Sequence, residues 1–268
     1  MNEIFVIIAL GLLGVCLGSF ANAAIWRLKV KKDIVRDRSE CTHCHHKLAA
    51  SDLIPVISWL MLRGKCRYCH KKIDDNPLVE LLVGVYFVGS YLLWPVMLDS
   101  NYAWFDFSLW LLYGVGLAIL FVYDLRWYIL PDRVVWPLVV LGAIDFIARG
   151  ISEHFSLQQF VVEAGLALLV ISGVYYLLHL ASKGKWVGLG DVKLGIFMGL
   201  ALGWQAGAMA LLLANLIGCI VVIPGLVTGK LRRDSQVPFG PFLIVAFVIA
   251  GMWGQQLLDW YLNLFVLA

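Results

Sequence analysis

IFVIIALGLLGVCLGSFANAAI, residues Ile4–Ile25, has no charged side chain along its length and then meets Arg27. About 20 apolar helical residues cross roughly 30 Å of hydrocarbon, so the run predicts a membrane-spanning helix. It is longer than a typical signal-peptide core and lacks a convincing cleavage site, so it reads as a retained helix. Further apolar runs follow at 77–98, 104–123, 134–149, 157–181, 191–204, 206–228 and 241–264. They predict an all-α polytopic membrane protein with about eight transmembrane helices. Composition agrees: 61% of the 268 residues are hydrophobic and 15% are charged, against roughly half and a quarter in a soluble domain. The runs at 134–149 and 191–204 are short for a full crossing, and Gly199, Gly203 and Gly207 blur the turn before 206–228.

A formal net charge of +3 gives no argument for nucleic acid; the placement of the cations matters more. Residues 26–76 hold 12 of the 21 Lys and Arg. The remaining inner loops hold Arg126, Arg133, Lys183, Lys185, Lys193, Lys230, Arg232 and Arg233. Eight crossings with both termini outside leave only Arg149 on the outer side, so cation bias and span count agree. Residues 26–76 are then a small cytoplasmic insert, ending where composition changes at Asn76-Pro77. No internal repeat or low-complexity tract is visible.

The insert carries Cys41-Thr-His-Cys44 and Cys66-Arg-Tyr-Cys69, two C-x-x-C pairs with 21 residues between them. Such pairs turn the backbone so that two thiolates converge, and two pairs close a tetrahedral S4 site with no open position for catalysis. A zinc-ribbon-like insert with a structural metal is predicted, because so short a segment buries little core of its own. Disulfides are the competing reading, opposed by a reducing cytoplasmic location. His43, His45, His46 and His70 adjoin the pairs as substitute ligands. Cys16 and Cys219 sit in apolar runs, where a buried thiol behaves as a small hydrophobe.

Acids within spans are costly and mark functional candidates. Glu80, Asp106, Asp124, Asp145, Glu163 and Asp191 qualify. Asp106, Asp145 and Glu163 fall in the outer half, where a solvated interfacial position explains them. Glu80, Asp124 and Asp191 fall at the inner boundary. Two aspartates at one depth suit peptide hydrolysis, one carboxylate activating a water and one carboxylic acid polarising the carbonyl, with a shared proton splitting their titrations. Gly188 and Gly190 permit unwound backbone and close approach beside Asp191. By itself Gly-x-Gly-Asp also fits a helix N-terminus capped by Asp191. Asp132 reads as the cap of the helix that follows it.

Read together, these residues resemble the type IV prepilin peptidases, membrane aspartyl proteases of the Gly-x-Gly-Asp class. The resemblance spans nearly the whole chain. It rests on Gly18-Ser19-Phe20-Ala21-Asn22 with Arg27, the two C-x-x-C pairs, Leu53-Ile54-Pro55-Val56-Ile57-Ser58-Trp59-Leu60, and Leu62-Arg63-Gly64-Lys65-Cys66-Arg67. It continues through Pro77-Leu78-Val79-Glu80-Leu81-Leu82, Asp124 with Leu130-Pro131-Asp132, Gly188-Leu189-Gly190-Asp191-Val192-Lys193, and Pro238-Phe239-Gly240-Pro241-Phe242. The resemblance carries the family's two catalytic aspartates over to Asp124 and Asp191, reversing the capping reading of Asp191.

It further implies a second activity, N-methylation of the new N-terminus by S-adenosylmethionine, as in members that carry the cysteine insert. The division implied is 1–98, the first helix, insert and second helix, as the methyltransferase part, and 99–268 as the peptidase. No Rossmann-type glycine motif shows where the methyl donor binds; Glu80 is a candidate there or for a basic leader, with a helix-start carboxylate as the plainer reading. For Asn22 and Arg27 the plainer readings are close packing and snorkelling. The implied substrates are type IV prepilin or pseudopilin precursors with a short basic leader ending in Gly. The implied setting is the lipid of the inner membrane, with the active site facing the cytoplasm and no nucleic-acid partner. A peptidase without methylation and a proton-coupled transporter remain as alternatives, the latter requiring mid-membrane acids and repeated halves.

Overall fold

The computed structural model describes residues 3–73, 76–230, 232 and 235–266; Arg233, one of the inner-loop cations, lies outside them. Among the described residues the order is α1 (Glu3–Lys29), a 3-10 turn (Ala50–Leu53), α2 (Ile57–Met61), α3 (Leu78–Leu93), α4 (Asn101–Trp127), α5 (Asp132–Ser152), α6 (Leu157–Ala167), α7 (Val174–Ser182), α8 (Leu189–Val227) and α9 (Gly240–Val266). A π-turn over Leu168–Gly173 joins α6 to α7 as one apolar span, Leu157–Ser182. Six helices are long and apolar enough to cross a bilayer: α1, α4, α5, the joined α6 and α7, α8 and α9. Large apolar side chains such as Val161, Leu177 and Ile220 stand exposed on them, as a lipid solvent permits. The chain is an all-α, multi-pass membrane protein.

Two expected spans differ from their runs. The run at 77–98 yields α3, whose 16 residues cover about 24 Å at a rise of about 1.5 Å each. It stops at Trp94, extended at ψ 126°, because Pro95 disfavours a helical residue before it. The runs 191–204 and 206–228 lie together on α8, which is broken at Gly203 (φ 75°, ψ 173°). In an unbroken helix Gly199 and Gly207 would stand about 12 Å apart. Instead a Cβ on Gly207 would lie 4.0 Å from the Gly199 Cα, so the chain folds back at the break. Arg149 donates to the carbonyls of Leu200 (3.1 Å) and Ala201 (3.3 Å), which the break strips of helical partners.

The chain divides into two compact units, Met1–Trp94 with Trp110–Ile119, and Pro95–Leu109 with Leu120–Ala268. In the first, α1 meets α3 through glycines: a Cβ on Gly18 would lie 2.6 Å from the Glu80 Cα, and one on Gly14 2.9 Å from the Gly84 Cα. Backbones approach closely where side chains are small. The insert is tied to the end of α1 by Asn22 Nδ2 donating to Asn76 O (3.1 Å) and by Arg27, which donates to Ile34 O (2.5 Å) and Ser39 Oγ (3.3 Å). Arg27 is buried, so close packing, not snorkelling, accounts for it. In the second unit α8 packs on α5, α9 and the π-turn, around fully buried Phe197, Met198, Leu243 and Phe247.

Candidate active site and metal centre

Helix α4 ends where Tyr128 turns left-handed (φ 56°) and donates its N–H to Asp124 O at 2.8 Å. Asp124 therefore sits in the last turn, and it is only 5% exposed. A carboxylate so buried needs donors, and Gly240, the first residue of α9, gives its N–H to Asp124 Oδ2 at 3.0 Å. A Cβ at position 240 would stand 2.7 Å from that oxygen, so only glycine brings its amide this close. Asp191 occupies the first turn of α8, behind Gly188 in the cap position with extended backbone (φ −77°, ψ 154°). Its Oδ2 accepts the Gly188 N–H at 3.1 Å, the side-chain half of a capping box. The capping geometry therefore exists, with Asp191 reaching back from inside the helix. Gly190 admits Leu130, whose Cβ would lie 3.0 Å from a Cβ there.

Asp124 and Asp191 line one open cavity of about 420 Å³, with Tyr128, Leu130, Pro131 and Lys193 around it. Two carboxylates on one cavity can share a proton, leaving one to draw a proton from water and the other to donate to a carbonyl. Asp132 is not the cap of α5: Pro131 holds that position, and both Asp132 oxygens accept from Lys193 Nζ, at 2.7 and 2.9 Å. Lys193 lies two residues past Asp191 and faces the cavity, so a cation outcompetes the backbone for that carboxylate. The buried Tyr175 sets its ring 5.8 Å from that of Phe239, and its hydroxyl is buried without a hydrogen-bond partner.

Of the outer acids, Asp145 departs from its solvated reading. Asp145 is 4% exposed, while Asp106 and Glu163 are half-buried. Asp145 precedes Arg149 by one helical turn on α5. Cys16 and Cys219 are exposed, not buried, on their helices.

The insert repeats one local fold at an offset of 25 residues, a duplication not visible as a sequence repeat. Cys41 N–H donates to His46 O and His45 N–H to Cys41 O, both at 3.0 Å; Cys66 N–H donates to Lys71 O at 2.9 Å and His70 N–H to Cys66 O at 3.0 Å. His45 and His70 each take φ 56°, closing each turn. The four Sγ atoms of Cys41, Cys44, Cys66 and Cys69 lie within 4.8 Å of one another, with Cys41 and Cys69 3.8 Å apart. Tetrahedral Zn–S bonds of about 2.3 Å give an edge of about 3.8 Å, so these residues could hold such an ion. All four cysteines are free thiols. Burial raises the Cys41 thiol, but backbone N–H groups of Cys44 and His43 outweigh it and bring the thiol to about 6. At Cys69 the Lys71 N–H lowers it, yet burial and the neighbouring thiols prevail and raise it to about 11. Asp52, in the 3-10 turn between the halves, accepts from Arg67 Nε (2.6 Å) and the Tyr68 hydroxyl (3.1 Å) of the second half, and the His46 and Tyr68 rings, one from each half, lie 3.7 Å apart.

Sequence comparison covers both units. Residues 12–94 match the bacterial peptidase A24 N-terminal domain and residues 110–223 the type IV leader peptidase family. The chain is 34% identical to a prepilin leader peptidase/N-methyltransferase of Aeromonas hydrophila, over 85% of this chain and 76% of that protein. It is 32% identical to the protein of that name from Stutzerimonas stutzeri, over 97% and 94%, and 29% identical to that from Pseudomonas aeruginosa, over 94% and 92%. No solved structure matches. The chain belongs to the type IV leader peptidase family: it is an enzyme, a peptidase whose relatives carry N-methyltransferase activity in the same chain.

Proposed function

We propose that Asp124 and Asp191 are the catalytic pair of a prepilin leader peptidase, cutting the basic leader from type IV prepilin or pseudopilin precursors at the cytoplasmic face of the inner membrane. The observation that carries this is their shared cavity, in which each carboxylate is steadied by one glycine N–H and retains a second oxygen for water or substrate. One carboxylate takes a proton from water as the oxygen attacks the scissile carbonyl carbon, and the other, protonated, donates to the carbonyl oxygen. Collapse of the tetrahedral intermediate breaks the C–N bond and returns a proton to the leaving amine. A precursor whose hydrophobic helix lies in the bilayer and whose leader stays inside brings its scissile bond to this depth.

The test is cleavage of a prepilin-like peptide by purified protein. Asp124→Asn and Asp191→Asn should each lower the rate by about 100-fold or more, with binding of the uncut precursor retained. Undiminished cleavage in either variant sinks the pair.

Residues 1–98 are assigned to N-methylation of the new N-terminus and 99–268 to cleavage. S-adenosylmethionine would supply an electrophilic methyl group. The neutral amine would take that methyl group, sulfur keeping the electrons of the broken C–S bond and the ammonium losing a proton to solvent. Near neutrality part of an α-amine is already unprotonated, since its usual pKa is about 8. Cys41, Cys44, Cys66 and Cys69 are assigned to a structural Zn²⁺, supported by their sulfur spacing. The fold-back at Gly203 supports counting α8 as two crossings, and with α3 the count is eight.

A further inference from the structure

We propose that the methyl donor binds in the cleft of the first unit, with the Glu80 carboxylate facing its sulfonium and the Trp59 indole N–H donating to its polar groups. This rests on the reading of the chain as a methyltransferase and assigns that activity a site. The cleft is walled by Asn22 and Trp26 from the end of α1, by Trp59 from α2, by Asp52 and Arg67 from the insert, and by Glu80 from the first turn of α3. Three observations mark it as built for a ligand.

Trp59 Nε1 is buried without a hydrogen-bond partner, although buried indole N–H groups ordinarily find one. Gly64, at φ 68°, holds the ring in place: a Cβ there would lie 2.9 Å from Trp59 Cζ2. Glu80 is half-buried, and among the described residues no cation forms an ion pair with it. Its Oε2 accepts the Val56 N–H at 2.6 Å. Val56 itself is strained, a β-branched residue at φ 60°, ψ −51° inside a turn in which Ile57 N–H donates to Pro55 O at 2.5 Å. Conformations of this kind persist where surroundings enforce them and cluster at ligand sites. Here Glu80 is the enforcing group, so the turn and the carboxylate are set together.

The donor set fits a small organic cation with an anionic end. A carboxylate and indole faces attract an onium group; Lys32 Nζ already lies 5.0 Å from the Trp26 ring centroid. The orphan N–H suits a carboxylate or hydroxyls, and so do the guanidinium N–H groups that the Arg67 pair with Asp52 leaves over. S-adenosylmethionine carries all of these. The enclosed space, about 150 Å³, is below the roughly 300 Å³ of a site that engulfs a whole ligand. The cleft therefore takes the sulfonium and amino-acid end and leaves the nucleoside at its mouth.

The test compares S-adenosylmethionine with S-adenosylhomocysteine, which lacks only the methyl group and its positive charge, by equilibrium binding to the full chain in lipid nanodiscs. Glu80→Gln keeps an acceptor for the Val56 N–H and removes the charge. It should weaken the sulfonium ligand by about tenfold and the neutral thioether by less than about threefold. Trp59→Phe should weaken both alike. Ultraviolet crosslinking of methyl-labelled S-adenosylmethionine to the unmutated protein should map to residues 19–27 or 50–67. Equal loss of both ligands in Glu80→Gln, no loss, or crosslinks confined elsewhere overturns the site. If the unmutated protein binds neither ligand and transfers no label to cleaved product, the methyltransferase reading itself fails. Label transfer with crosslinks outside the cleft sinks only the location.

Discussion

Asp124 dictates what position 240 can be. Because a Cβ there would press to 2.7 Å from Asp124 Oδ2, Gly240→Ala must either push the carboxylate aside or move the start of α9, and in both cases the 3.0 Å hydrogen bond is lost. Displacing a reacting group by about 1 Å can cost about 100-fold in rate. Gly240→Ala should therefore cut leader cleavage by at least about tenfold in a peptide assay, with metal content unchanged; wild-type rates would show that the amide does not position Asp124. Lys193 offers a contrast. Its pair with Asp132 is partly exposed, at 28% and 58%, and such pairs contribute about 1 kcal/mol or less. Lys193→Met should leave melting within a few degrees, and a large fall in cleavage would mean that the lysine meets substrate in the cavity. The two aspartates were legible in sequence because membrane acids are rare and Gly-x-Gly-Asp stands out. Gly240 was not, since its role depends on a carboxylate 116 residues away; its only signal was Pro238-Phe239-Gly240 as part of a family resemblance.

Among the elements, α8 shows what patterning can and cannot locate. Gly199, Gly203 and Gly207 were all visible as places for a turn, each as permissive as the next. The structure selects Gly203, where Arg149, 51 and 52 residues earlier, covers the carbonyls of Leu200 and Ala201. Such a long-range cap leaves no local trace. Gly203→Ala forces an L side chain to φ 75°, a cost of about 1–3 kcal/mol, and should lower the thermal midpoint by several degrees. Gly199→Ala should also destabilise, for another reason: its Cβ would run into the Ala167 carbonyl oxygen. The insert's knuckles were legible from spacing alone, because C-x-x-C fixes its own turn. Their protons were not. With Cys41 near 6 and Cys69 near 11, the apo site between those values still holds a proton that a metal must displace. Zinc affinity should thus rise with pH by at least about one logarithmic unit per pH unit, read by chelator competition at pH 6.5 and 8; a flat profile would mean that the thiols do not ligate.

Across the whole molecule, hydropathy and cation placement together argue for eight crossings, yet among the described residues six helices are long and apolar enough by themselves. The difference lies in α3 and α8. Helix α3, at about 24 Å, can span with modest thinning of the bilayer or reach from its flanking residues, and its crossing is what keeps 26–76 on the same side as the cations at 126–133 and 183–193. Helix α8 decides more sharply, because its two limbs either both cross, placing 203–205 outside and Lys230 inside, or both lie on one side of the bilayer. Reporter insertions that are active only outside the cytoplasm separate these cases. Insertions after Glu153 and Gln205 should be active, and insertions after Lys185 and Lys230 silent. The Lys185 result anchors the inner side beside Asp191, six residues on. A silent reporter after Gln205 with an active one after Glu153 would remove two crossings at once, while leaving the inner position of Asp191, and hence of the cavity it shares with Asp124, unchanged.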